Sequence, residues 1–173
     1  MLLSGSRILR QFARKHPDAR RALDTWTNLI ESGTFRNFAD LRNAFGSADV
    51  VGKFVVFDIR GNHYRLIANI TLLTQACHVL SIFTHAEYDR RHWMKQLVVK
   101  DATPLRWEEC RRHAVLPIFN EAAYDVALVA IRELVIRGAG EDSHPENGEL
   151  SRIILGLHAY EQIHHPWPAA NEL

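Results

Sequence analysis

Along residues 19–30 the apolar positions Ala19, Ala22, Leu23, Trp26, Leu29 and Ile30 recur at i, i+3, i+4 and i+7. That spacing places them on one stripe of a helix, and Gly33 suits its C-terminal end. Ahead of it, Ile8, Leu9 and Phe12 share one side of a shorter helix with Arg7, Arg10 and Arg14 opposite. Ser4 or Ser6 can cap that helix, and Pro17 separates the two into a helical hairpin. A short helical turn over 38–45 precedes Gly46 and Gly52.

At Phe54 the pattern changes. Phe54–Ile59 is rich in β-branched and aromatic residues, Gly61-Asn62 marks a tight turn, and Tyr64–Thr71 continues as the second arm of a β-hairpin. Residues 77–83 alternate as a third strand. Helices followed by an antiparallel meander predict an α+β fold, with two N-terminal helices on one face of a three- to four-stranded sheet. Thr84-His85-Ala86-Glu87 has capping-box spacing, so the chain leaves the sheet and starts a helix at His85.

Residues 95–112 show no period and contain Pro104, which reads as a connector with one short helix near Trp107. Asn120 then caps a helix carrying Tyr124, Ala127, Leu128, Ile131, Leu134 and Val135 on one face, closed by Gly138 and Gly140. A polar loop over 141–148 leads to a last helix with Leu150, Ile153, Ile154, Leu157 and Tyr160, stopped by Pro166 and Pro168. The expected organisation is an α+β domain over 1–93, a linker over 94–116 and an α-helical hairpin domain over 117–173. A hairpin of that size is marginal unless it packs on a partner or on the first domain.

Charge sharpens this division. Residues 1–93 hold thirteen Lys and Arg against eight Asp and Glu, a net +5; residues 94–173 hold eight against twelve, a net −4. Opposite charge in two halves suggests mutual docking, or a polyanion-binding half with an acidic shield. Cys77 and Cys110 form neither a disulfide framework nor a zinc motif, which fits a reducing, cytoplasmic compartment. The N-terminus lacks the apolar run of a signal peptide and no stretch suits a membrane span. Glu161, His164 and His165 have the spacing of a helical metal site, but Pro166 favours a solvated helix end, so neither metal nor cofactor is expected.

The candidate chemistry lies around the hairpin. His63 and Arg65, two apart on a strand, would face the same way, and His85 and Tyr88 follow the next strand. Lys53, Arg60 and Arg90 add positive charge. Imidazole, phenol and fixed cations together suit metal-independent cleavage of an RNA phosphodiester: a base takes the 2′-hydroxyl proton, a cation stabilises charge on the phosphoryl oxygens, and an acid protonates the leaving oxygen. His85 at a helix N-terminus, where the dipole favours neutral imidazole, suits the base.

The runs KHPDARRALDTW, FDIRGNHYRLIANI and IFTHAEYDRR resemble HigB-type toxins of the RelE superfamily, ribosome-dependent mRNA endonucleases of type II toxin–antitoxin systems. The resemblance covers nearly all of residues 1–93. It implies a RelE-like fold, with Arg65, His85 and Tyr88 acting on RNA and Arg60 at a usually basic turn position; His63 stands where the family commonly has Lys, and with the charges of Lys53 and Arg90 these make up the expected RNA-binding set of Lys53, Arg60, His63 and Arg90. LPIFNEAAYDVALVAIRELV and ENGELSRIILGLHAYEQIHHPWP look like the N-terminal helical region of HigA-type antitoxins. That likeness implies inhibitory contacts through Tyr124, Leu128, Ile131 and Leu157. No segment before Leu173 supplies the helix-turn-helix that follows in that family, so direct operator binding is not expected.

Three readings follow. In the first, a toxin-like ribonuclease acting on ribosomal mRNA is joined to an inhibitory domain that masks it within the chain or in a domain-swapped homodimer. In the second, the chain is a catalytically silent interaction or decoy protein of a toxin–antitoxin system. In the third it is a plain RNA-binding module.

Overall fold

The computed structural model of the chain describes residues 1–90, 93, 118 and 120–168. The expected linker over 94–116, with its short helix near Trp107, lies outside them. The described elements are β1 (Leu2–Ser4), α1 (Ser6–Lys15), a 3-10 turn (Pro17–Ala19), α2 (Arg20–Ser32), α3 (Phe38–Ala44), β2 (Asp49–Val51), β3 (Phe54–Ile59), β4 (Tyr64–Thr71), β5 (Ala76–Thr84), α4 (His85–Asp89), α5 (Glu121–Arg137) and α6 (Asn147–His164).

The sheet has five strands in the order β1-β5-β4-β3-β2. The expected meander is its centre: Phe57 pairs with Leu66 and Asp58 with Arg65, and Leu66 pairs with Ile82. Two three-residue edge strands exceed the expectation. β2 runs antiparallel to β3, whereas β1 runs parallel to β5, with Ser4 opposite His78, so the sheet is mixed. Near its middle, Ile67 pairs with Ser81 and Ala68 with Val79, leaving Leu80 as the extra residue of a bulge.

The sheet is buried on both faces: the N-terminal helices lie on one, as expected, and the C-terminal helices on the other. Val55, Phe57, Leu66, Ala68 and Val79 form one core with Leu9, Leu23, Trp26, Ile30 and Leu41 of α1–α3. Val56, Ile67 and Leu80, pointing the other way, form a second core with Ile131 and Leu134 of α5 and Ile154 and Leu157 of α6. Each Val, Leu, Ile or Phe among them, removed from water, contributes roughly 1.5–3 kcal/mol. The helical hairpin therefore does not stand alone. Leu29, expected on the buried stripe of α2, is 40% exposed at its margin.

The first helix begins differently from expectation. Neither Ser4 nor Ser6 caps it. The N-cap is Gly5 in the left-handed region at φ 91°, with no cap from its own side chain. Its N–H donates to Glu161 of α6 at 3.0 and 2.9 Å. Ser4 instead shares a 2.8 Å hydrogen bond with His78 Nδ1, and Ser6 Oγ donates to the His165 carbonyl. The caps read from sequence at the other helices form as expected. Thr84 and Glu87 make a reciprocal capping box on α4, and Asn120 Oδ1 accepts from Ala123 N–H on α5.

Candidate active site

Arg65 projects from β4 onto the sheet face that carries α5 and α6, beside Asp58 on β3. Its guanidinium pairs with Asp58 at 2.9 Å and is 12% exposed. It also donates to the Asn62 carbonyl at 3.2 Å, the Asn62 side-chain oxygen and the Tyr64 carbonyl at 3.4 Å. Asn62 reaches this position because the hairpin turn holds it at φ 77°. Neither Asp58 nor Asn62 was expected. The signal for Asp58 lay in the hairpin register, which sets it directly opposite Arg65.

Tyr88 of α4 lies against the same cation, the Arg65 guanidinium carbon standing 5.6 Å from its ring centroid. The Tyr88 ring is also stacked on Trp93, with centroids 5.2 Å apart and 14° between planes. Trp93 is buried and meets Phe54 edge to face. His85 is the first residue of α4; its Nε2 stands 3.1 Å from Asp89 one turn on. Its N–H donates to the His63 carbonyl, tying α4 to the hairpin turn. The Thr84 N–H and hydroxyl hold the Glu87 carboxyl below its usual range, keeping the cap anionic.

The expected RNA-binding residues do not form one patch. His63 is exposed in the turn, one residue before β4, so it does not share a strand face with Arg65 as the sequence suggested. Arg60, at φ 54°, turns toward α2 and pairs with Asp18 at 2.6 Å. The Tyr64 hydroxyl also donates to Asp18 at 2.8 Å; that hydrogen bond, with Arg60 nearby, lowers the Asp18 pKa. Arg90 is exposed at the end of α4. Lys53 is at the far end of β3, about 20 Å from the hairpin turn at 3.3 Å per strand residue. Its Nζ donates to the Ile136 carbonyl in the last turn of α5 at 3.0 Å.

Helices α5 and α6 are held on the sheet by both polar and apolar groups. Ile131 and Leu157 are fully buried in the second core, and Leu128 packs at its margin. Tyr124 is buried under Arg7, whose guanidinium lies 4.5 Å over its ring, and its hydroxyl donates to Glu161. Arg7 reaches Glu121 at 3.1 Å and Asp125 at 2.5 Å, so the basic first helix and acidic α5 meet directly. Glu161 is not at a solvated helix end. It is 1% exposed, and burial raises its pKa against the pull of the Tyr124, Ser6 and Gly5 hydrogen bonds. His165 pairs with Glu121 at 2.7 Å instead of joining Glu161, and no His, Cys, Asp or Glu group among the described residues is arranged to hold a metal.

A mixed five-stranded sheet with helices, ending in an Arg, Tyr and His cluster, is compatible with the class of RelE-like domains. Residues 19–91 match the HigB_toxin family, described as the RelE-like toxic component of a toxin–antitoxin system. The chain is 32% identical over 92 residues to the mRNA interferase toxin HigB of Escherichia coli K12, an alignment covering 51% of this chain and 88% of that protein. It is 35% identical over 81 residues to the mRNA interferase HigB of Escherichia coli O6:H1, covering 45% and 79% respectively. The chain belongs to the HigB toxin family. The family match ends at residue 91, ahead of α5 and α6.

Proposed function

We propose that this chain is a ribosome-dependent mRNA endonuclease toxin whose RNA-cleaving face is covered within the chain by antitoxin-like helices, acting in the cytoplasm. The carrying observation is that α5 and α6 pack on the same sheet face from which Arg65 projects beside Tyr88. In this reading Arg65 stabilises charge on the scissile phosphate, His85 takes the 2′-hydroxyl proton with Asp89 orienting its ring, and Tyr88 contacts the RNA and assists proton transfer. Removal of the helices would open the site to messenger RNA on the ribosome. The HigA-like motifs of α5 and α6, the place of Leu128, Ile131 and Leu157 in the core shared with the sheet, and the contact of Tyr124 with Arg7 of α1 support an inhibitory role. A swapped homodimer would use the same contacts between two copies.

A second reading, the silent decoy, draws support from Arg65, whose two terminal guanidinium nitrogens already meet Asp58, Asn62 and Tyr64. Purified full-length chain in a translation extract, with messenger cleavage mapped by primer extension, separates the two. Leu128→Asp with Ile131→Asp should release cleavage, and adding Arg65→Ala should abolish it. No cleavage by the loosened chain would favour the decoy.

A further inference from the structure

Trp93 is placed unlike Trp26 and Phe45 of the other core. Trp26 and Phe45 meet Phe57 edge to face, at 72° and 69°. Trp93 instead lies nearly parallel on Tyr88, at 14° with centroids 5.2 Å apart, while its edge-to-face partner is Phe54 at 5.9 Å. The same Tyr88 ring has the Arg65 guanidinium 5.6 Å from its centroid. A parallel aromatic ring beside a guanidinium is the environment in which proteins hold an unstacked RNA base. The bicyclic indole has the size and flat shape of a purine.

Resting on the nuclease reading, we propose that Trp93 is an internal substitute for a substrate purine, occupying the slot in which Tyr88 would stack a base of the bound RNA. Two features support an occupant rather than a neutral filler. The slot adjoins Arg65, the residue that the nuclease reading sets against the scissile phosphate. Trp93 also belongs to the same contiguous core as Ile131 and Leu134 of α5, and under this proposal loosening that core by displacing the helices frees the slot. RNA and the cover then compete for one ring face, and the chain carries its own competitor.

The test uses the full chain and a purine-rich single-stranded oligonucleotide made uncleavable by 2′-deoxy substitution, with a pyrimidine oligonucleotide beside it. Trp93→Leu keeps an apolar side chain against Phe54, at smaller volume, while removing the aromatic face; it should bind the purine-rich strand about tenfold more tightly than the parent. Trp93→Phe should gain about threefold, because a smaller ring competes less well. Adding Tyr88→Leu to Trp93→Leu should erase the gain. Unchanged purine affinity in both single variants, or a gain that persists without Tyr88, overturns the assignment. If Trp93→Leu fails to fold, the Trp93→Phe result decides alone. Unchanged affinity alongside messenger cleavage by the Leu128→Asp, Ile131→Asp chain would sink only the Trp93 proposal. Absence of that cleavage with Tyr88-dependent purine binding intact would sink only the nuclease reading.

Discussion

The backbone N–H of Gly5 points at the carboxylate of Glu161, 3.0 and 2.9 Å from its two oxygens, so a residue of α6 caps the first helix. The same carboxylate accepts from Tyr124 of α5. One buried group thus joins α1 to the covering helices, and the toxin-family half and the C-terminal half share a single polar centre.

Replacing Glu161 by Ala leaves the Gly5 N–H and the Tyr124 hydroxyl without their acceptor and should cost roughly 3 kcal/mol in urea unfolding. Glu161→Gln should cost less. The pH dependence has a definite sign: burial raises the folded pKa above 4.5, so the carboxyl favours folding most below that value and less as pH climbs through the folded one. The stability of the parent relative to Glu161→Gln should therefore fall as pH rises above about 4.5, a trend followed in paired melts.

His78 should impose the opposite slope. Its burial, with Arg132 nearby, pushes its pKa from 6.5 to about 3. The unfolded chain gains a proton below 6.5 that the folded chain refuses until about 3. Stability is lost across that window by up to about 1.4 kcal/mol per pH unit. His78→Asn, which retains a polar partner for Ser4, should flatten the acid limb of the stability curve; an unchanged limb would show that His78 does not drive it.

Gly5→Ala should be among the most damaging single-methyl additions in the chain. At φ 91° a Cβ would stand 2.6 Å from the Val79 carbonyl oxygen, adding a backbone clash to the left-handed penalty, at least about 2 kcal/mol together. Gly148→Ala, where nothing lies within 4 Å, should be neutral or stabilising by up to about 1 kcal/mol. Thermal melts of the two variants make the comparison.

Lys53→Met should lower stability by up to about 1 kcal/mol, because it removes a cation from the last turn of α5. It should leave the oligonucleotide affinity of the Leu128→Asp, Ile131→Asp chain within twofold, since Lys53 stands about 20 Å from the hairpin turn beside Arg65. A tenfold loss of affinity would return Lys53 to the RNA-binding set.

Local signals were readable wherever the cause was local. The apolar stripe of α2, the hairpin arms around Gly61-Asn62, the Thr84 capping box, the Asn120 cap and the stop at Gly138 each depend on residues within one turn or hairpin, and each appears close to where the sequence put it. The proximity of Arg65 to Tyr88 was legible for the same reason, because register and cap follow from short spacings. β1 was not, because a three-residue strand is defined by its parallel partner more than seventy residues away. Nor was the diversion of Arg60 to Asp18, which follows from its positive φ and from a helix junction distant in sequence.

By itself the sequence determined that the chain has a helix-then-hairpin α+β half, that this half carries HigB-like motifs, and that an oppositely charged helical half follows. Only the tertiary structure decided that α5 and α6 lie on the sheet face bearing Arg65, and that Glu161 caps α1 rather than meeting solvent. The physical reason is that β3 is apolar on both faces, Val56 on one side and Phe57 on the other, so its pattern states that both are covered without stating by what. That choice is made by fit and charge between segments more than a hundred residues apart, as in the meeting of Arg7 with Glu121 and Asp125.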